Sequence, residues 1–245
     1  MDVKKWAAGL GVALVLPMAH VSSGQAATGS SPKGVVVVAA SPTGSPLVRY
    51  PGSTAWRSLG GTFQGRPAVV FSNNRSHFFA STTRGTLMHR TASTPWRPLT
   101  RTPCSSPHAA AYRGQIRVAC IGARHVARTM VFAGYQTRPY QATLSNLGGY
   151  VTSISVMVDD AGYVFFATGK RYPTKVGNSK WTSNSYVRYP GKGFQHWDTF
   201  CTGPMTVASS TRRVFVGCQL GKRLLVEVFD WTLPQSSPNF YKYWF

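Results

Sequence analysis

The chain has 245 residues, 43% of them hydrophobic, and a formal net charge of +21. That is enough chain for a full core in one domain. Six acids in total leave little for chemistry that needs paired carboxylates, and an excess of cations that includes 18 Arg favours anionic partners.

The N-terminus reads as a targeting segment. Lys4 and Lys5 form a basic lead, Trp6 to Ala19 is apolar, and Gly24-Gln25-Ala26 offers the small residues that a signal peptidase reads. Residues 1–26 are therefore expected to be a cleaved secretory signal, with a retained membrane anchor as the alternative. No other segment approaches about 18 apolar residues. Residues 27–34 are small and polar and are expected to be a flexible lead-in. The folded domain is then 35–245, in a secreted or extracellular protein that could associate with the cell wall.

The rest of the chain reads as short strands divided by turns. Val35–Val38 and Leu47–Tyr50 come first, then Trp56-Arg-Ser-Leu59-Gly-Gly. Ala68–Phe71, His77–Ala80 and Thr86–His89 follow, separated by Ser72-Asn-Asn-Arg75 and Arg84-Gly85. Trp96-Arg-Pro-Leu99 repeats the Trp-x-x-Leu element, and Leu147-Gly148-Gly149 repeats its end. Ser155–Val158 and Tyr163–Phe166 flank Asp159-Asp-Ala-Gly162. Phe165-Phe-Ala-Thr168 nearly copies Phe78-Phe-Ala-Ser81. Lys170–Ser185 reads as an irregular polar insertion holding Trp181 and Tyr186, and Trp197-Asp-Thr-Phe200 closes that unit. Beyond the signal no run has helical spacing, while β-branched and aromatic residues dominate.

Two cysteine units share one form. Cys104-Ser-Ser-Pro107 ends at Cys120, and Cys201-Thr-Gly-Pro204 ends at Cys218. Export to an oxidising compartment favours disulfides, and the duplicated context pairs Cys104 with Cys120 and Cys201 with Cys218. Zinc is the rival reading, weakened by the lack of close Cys-x-x-Cys pairs.

A period of about forty residues with four strands per unit marks a β-propeller. The units fall near 61–100, 101–147, 148–200 and 201–231. A fifth is expected to be assembled from both chain ends, with Phe240–Phe245 as its closing strand. The expected fold is thus all-β, a single propeller of five blades of four antiparallel strands. A β-sandwich or trefoil is the alternative.

The Trp-x-x-Leu-Gly-Gly element, a strand opened by Pro, a Gly or Asn turn and an aromatic strand together resemble the repeat of small secreted propeller lectins. These are the tachylectin-2-like five-bladed group and the bacterial fucose-binding propeller lectins. The resemblance implies shallow carbohydrate pockets between blades, lined by aromatic and hydrogen-bonding side chains. Trp56, Trp96 and Trp197 are the positions it points to, each of which could instead pack between blades. Trp181 and Tyr186 are added as non-repeated aromatics.

The implied function is a non-catalytic recognition module for surface carbohydrate or anionic glycopolymer, with no cofactor or metal. It could serve as the targeting subunit of a larger extracellular assembly. A protein–protein adaptor and a secreted glycosidase are the alternatives. For the glycosidase, Asp159, Asp160, Asp198, Glu227 and Asp230 are the only acids after residue 26. His77, His89, His108, His125 and His196 are scattered without ligand spacing.

Overall fold

The computed structural model describes residues 26–31, 34–132, 142–159, 162–176, 179–196, 205–209, 213–220, 223–230 and 240–244. All pairing among them is antiparallel, and their only helical element is a 3-10 turn at Ala123–His125.

Each sheet is a meander in chain order. The first holds β1 (Ala26–Ser31), β2 (Gly34–Ala40), β3 (Pro46–Arg49) and β4 (Arg57–Ser58). The second holds β5 (Gln64–Ser72), β6 (Arg75–Ser81), β7 (Leu87–Thr91) and β8 (Arg97–Pro98). A seven-stranded sheet follows: β9 (Ser105–Tyr112), β10 (Gln115–Ile121), β11 (Val126–Phe132), β12 (Ser145–Asp159), β13 (Gly162–Val176), β14 (Ser179–Arg188) and β15 (Gln195–His196). The last holds β16 (Met205–Ser209), β17 (Arg213–Leu220), β18 (Arg223–Asp230) and β19 (Phe240–Trp244).

The long sheet is two four-stranded units that share β12. Its first part pairs with β11, from Thr129↔Ser145 to Val126↔Tyr150. Its second part pairs with β13, from Val151↔Gly169 to Asp159↔Gly162. Counted this way, the described chain is a run of four-stranded units.

The units stack face to face, and this explains the continuous apolar runs. Successive strand residues point to opposite faces. Val69 and Phe78 therefore pack back on Val36, Val38, Val48 and Leu59 of the first unit. Ala68, Val70 and Phe79 pack forward on Ile116, Val118 and Phe132 of the third. The same division recurs in β12 and β13. Val156 and Phe165 join Ala119 and Ile121, while Met157, Val164 and Phe166 join Val207 and Val216. Phe78 and Phe79 are both fully buried, worth about 1.5–3 kcal/mol each. The first strands lie nearest one another in sequence order, β1 on β5, β5 on β9, β9 on β12 and β12 on β16.

Tight hairpins set the register. Asn73 and Asn74 have φ of 49° and 59°, and Arg113 and Gly114 have 48° and 78°. Positive φ at both central residues matches the right-handed twist of the flanking strands, which is why Asn and Gly stand there.

Cys104 and Cys120 form a disulfide with Cα atoms 5.3 Å apart, inside the core between the second and third units. The expected pairing of Cys201 with Cys218 lies outside the described residues.

Three expectations need correction. Residues 27–34 are not all a flexible lead-in, because β1 pairs with β2 from Ala26↔Ala39 to Ser31↔Gly34. The valine run of β2 needs a partner on each side, and the chain just before it supplies one. Among the described residues the two ends do not join in one sheet. β19 pairs with β18, from Phe229↔Phe240 to Leu225↔Trp244, and so completes its own unit. Finally, Lys170–Ser185 is not irregular: β13 and β14 continue as a paired hairpin from Tyr172↔Ser183 to Val176↔Ser179. Alternating Tyr172, Thr174 and Val176 favour a strand despite their polar neighbours.

Candidate functional site

Three arginines occupy one structural position. Arg49 ends β3, Arg90 lies near the end of β7, and Arg188 ends β14, each on the third strand of its unit. Each guanidinium lies over an aromatic ring from the following connection. Arg49 is 5.4 Å from the Trp56 ring centroid, Arg90 is 5.8 Å from Trp96, and Arg188 is 5.9 Å from Phe194. The sequence carries the signal plainly, since Val48-Arg-Tyr-Pro-Gly52 recurs as Val187-Arg-Tyr-Pro-Gly191. Reading the tryptophans alone misses the arginines that precede them.

In two units this pair grips the preceding one. Arg90 Nη1 donates to the Leu59 carbonyl. Trp96 Nε1 donates to the carbonyls of Gly60 at 2.9 Å and Leu59 at 3.1 Å, and its ring meets Phe63 at 4.7 Å. Arg188 Nη1 donates in the same way to the Leu147 carbonyl. The Leu-Gly-Gly element is thus a corner whose carbonyls are aimed at the next unit. Gly60 and Gly61 have φ of 73° and 81°, and a Cβ on Gly61 would lie 2.6 Å from the Phe63 ring. Only glycine makes that turn without strain.

In the first unit the same pair has no such partner among the described residues. Among the described residues, Trp56 Nε1 makes no hydrogen bond, and the half-buried indole keeps Arg49 beside it. Two donors and an aromatic surface, shown in the second unit to take two carbonyl oxygens, are here open to another acceptor.

The remaining sequence candidates divide. Trp96 is a packing residue of the corner. Tyr186 is half-buried against the core formed by Ile154 and Phe165. Trp181 lies on β14 opposite Thr174, and its side chain is outside the described set, as is the whole of Trp197. The structure does not bring Trp56 and Trp96 into one pocket; they serve successive units.

The histidines are less scattered than the sequence suggests. His77 on β6 and His89 on β7 are buried, with Nδ1 of one 3.0 Å from Nε2 of the other and the rings stacked. Burial, then His77 and Arg97, push His89 down to about 3. Burial also lowers His77. His108 is pushed down to about 3 by burial and by Arg66, and its Nδ1 accepts the Val156 N–H at 3.2 Å. That bond requires an unprotonated Nδ1. Among the described residues no group of three or more His, Cys, Asp or Glu could hold a metal ion, and Cys104 and Cys120 are bonded to each other.

No family model matches the chain, and no curated protein matches it. Solved structures do. AofleA from Arthrobotrys oligospora superposes with a TM-score of 0.60 at 11% identity, over 90% of this chain and 72% of that one. The Aleuria aurantia lectin, a six-bladed β-propeller solved with Fucα1-6GlcNAc, gives 0.51 at 13% identity, over 84% and 75%. An α-L-arabinofuranosidase from Clostridium thermocellum gives 0.53 at 9% identity, over 84% and 89%. The chain is therefore an all-β protein of the β-propeller fold.

Proposed function

We propose that the chain is a secreted, non-catalytic, lectin-like propeller of five blades that binds carbohydrate or anionic glycopolymer at a cell or wall surface. The four-stranded units, with β12 divided at Tyr150 and Val151, support five blades, although the similar Aleuria lectin has six. The Leu-Gly-Gly corners support the propeller-lectin resemblance, and the tachylectin-2-like subgroup belongs to the same reading. Cleavage after Ala26 would release the chain and leave Ala27–Ser31 to pair with β2.

One observation carries the function: the open Arg49–Trp56 pair. A pyranose can lay its apolar face on the indole, while the Arg49 guanidinium and Trp56 N–H donate to hydroxyl or carboxylate oxygens. The neighbouring structures add that this fold presents fucosylated sugar in a fungal lectin.

The arabinofuranosidase shows that the same fold also carries a glycosidase. Against that role stand the few acids. Of the five after residue 26, Asp159 lies at a hairpin tip, while Glu227 and Asp230 share one strand near the C-terminus. A carboxylate pair flanking a sugar has few residues to draw on.

A glycan array on the secreted chain, with Trp56→Ala beside it, tests the reading. Discrete, salt-resistant hits that Trp56→Ala removes are expected. Hits that survive this substitution would move the site elsewhere, and a silent array would favour the protein–protein adaptor.

A further inference from the structure

The hairpins joining first and second strands form a second, separate surface. Their tips are Ser72-Asn73-Asn74-Arg75 in the second unit, Tyr112-Arg113-Gly114-Gln115 in the third and Asp159 to Gly162 in the fourth. They are fastened side by side. Asn73 Nδ2 donates to the Gly114 carbonyl at 3.2 Å, and Tyr163 Oη donates to the Gln115 carbonyl at 3.0 Å. The third tip is thus held from both flanks.

Arginine and tyrosine alternate across it. The Arg113 guanidinium lies 4.9 Å from the Tyr112 ring, Tyr112 meets Tyr163 edge-on at 6.3 Å, and Arg117 lies 4.8 Å from Tyr163. Arg75 and Arg113 are exposed. Arg117 Nε is buried with no hydrogen-bond partner, and among the described residues no ion pair neutralises Arg75, Arg113 or Arg117. A guanidinium resting on a ring keeps its in-plane N–H groups for an acceptor. Here those donors are fixed in place, with no anion on them among the described residues. The arginines of this face lie at the second and third tips.

We propose that these tips, centred on Arg75, Arg113 and Arg117, bind an acidic polysaccharide through its carboxylate or sulfate groups. The proposal rests on reading the chain as a glycopolymer binder and places the anionic part of that binding away from Trp56. The arginine fork matches a planar carboxylate in two bonds. A single-stranded nucleic acid is the other polyanion to weigh. It needs open aromatic faces for its bases, and Tyr112 and Tyr163 have arginines on theirs.

Calorimetry with an α-1,4-galacturonate octasaccharide, a neutral galactan of equal length and a single-stranded DNA octamer tests this at about 50 and about 300 mM salt. The double variant Arg75→Gln/Arg113→Gln should weaken uronate binding about tenfold at low salt. It should also lower the slope of log affinity against log salt by about two. Arg57→Gln/Arg84→Gln removes the same charge from exposed positions elsewhere and should change binding by less than about twofold. Trp56→Ala should spare uronate binding while it removes neutral-glycan binding, so either site can fail alone. Equal loss in the two double variants, absence of uronate binding, or DNA bound as tightly as uronate would each overturn the proposal.

Discussion

Acid should unfold this protein through its histidines. His89 is pushed from 6.5 to about 3 in the folded chain, first by burial and then by His77 and Arg97. In the unfolded chain the ring takes a proton as pH falls through about 6.5. Protons therefore bind the unfolded state first, and the stability present above pH 6.5 is lost as pH falls towards 3. At pH 5 the loss from His89 alone is RT ln(1 + 10^1.5), about 2 kcal/mol. His108, also held near 3, adds a similar amount at most, since part of its residue surface stays exposed. The sum is roughly 2–4 kcal/mol between pH 7.5 and pH 5, a large share of a typical domain's stability. Carboxylates, the usual source of acid unfolding, are few here. Urea unfolding followed by circular dichroism at the two pH values measures the loss directly. His89→Gln keeps a polar partner for His77 and should reduce the pH dependence by about 2 kcal/mol. Equal wild-type stability at both pH values, or an unchanged dependence in His89→Gln, would refute the reasoning.

The blade corners and the disulfide give further expectations. Trp96→Ala loses two hydrogen bonds and the Phe63 contact and should cost about 2–3 kcal/mol in urea unfolding. Arg188→Ala leaves the Leu147 carbonyl without its charged donor and should cost about 1.5–3 kcal/mol, whereas Arg49→Ala should cost under about 0.5 kcal/mol and act on binding instead. Replacing Cys104 and Cys120 together by Ala frees a loop with a sequence separation of 16. By the chain-entropy relation it should cost about 3 kcal/mol, seen as a lower melting temperature with glycan binding retained.

The strands were legible because they are buried on both faces. Runs such as Ala68–Phe71 and Phe78–Ala80 have no polar face to confuse them with helix, and their Asn and Gly turns are explicit. The Cys104–Cys120 pairing followed from its duplicated frame. The chain ends were not legible, since Ala26–Ser31 is a strand by virtue of its partner and not of its composition. The corner was half legible. Leu59-Gly60-Gly61 and Trp96 stood out as a repeat, but their meaning depends on Arg90, which sits in another unit 31 residues further on. Periodicity finds equivalent residues in different units. It does not find residues that touch across a unit boundary, and so the Tyr112–Tyr163 contact also stayed hidden.

The shared strand β12 makes the third and fourth units mechanically one. Its Ser145–Tyr150 portion closes one meander, and Val151–Asp159 opens the next without a loop between them. Between the first and second units, by contrast, residues 59–63 separate the two sheets. Along β12, twisting one sheet turns the backbone of the other. A load on either of these two units is therefore carried by both.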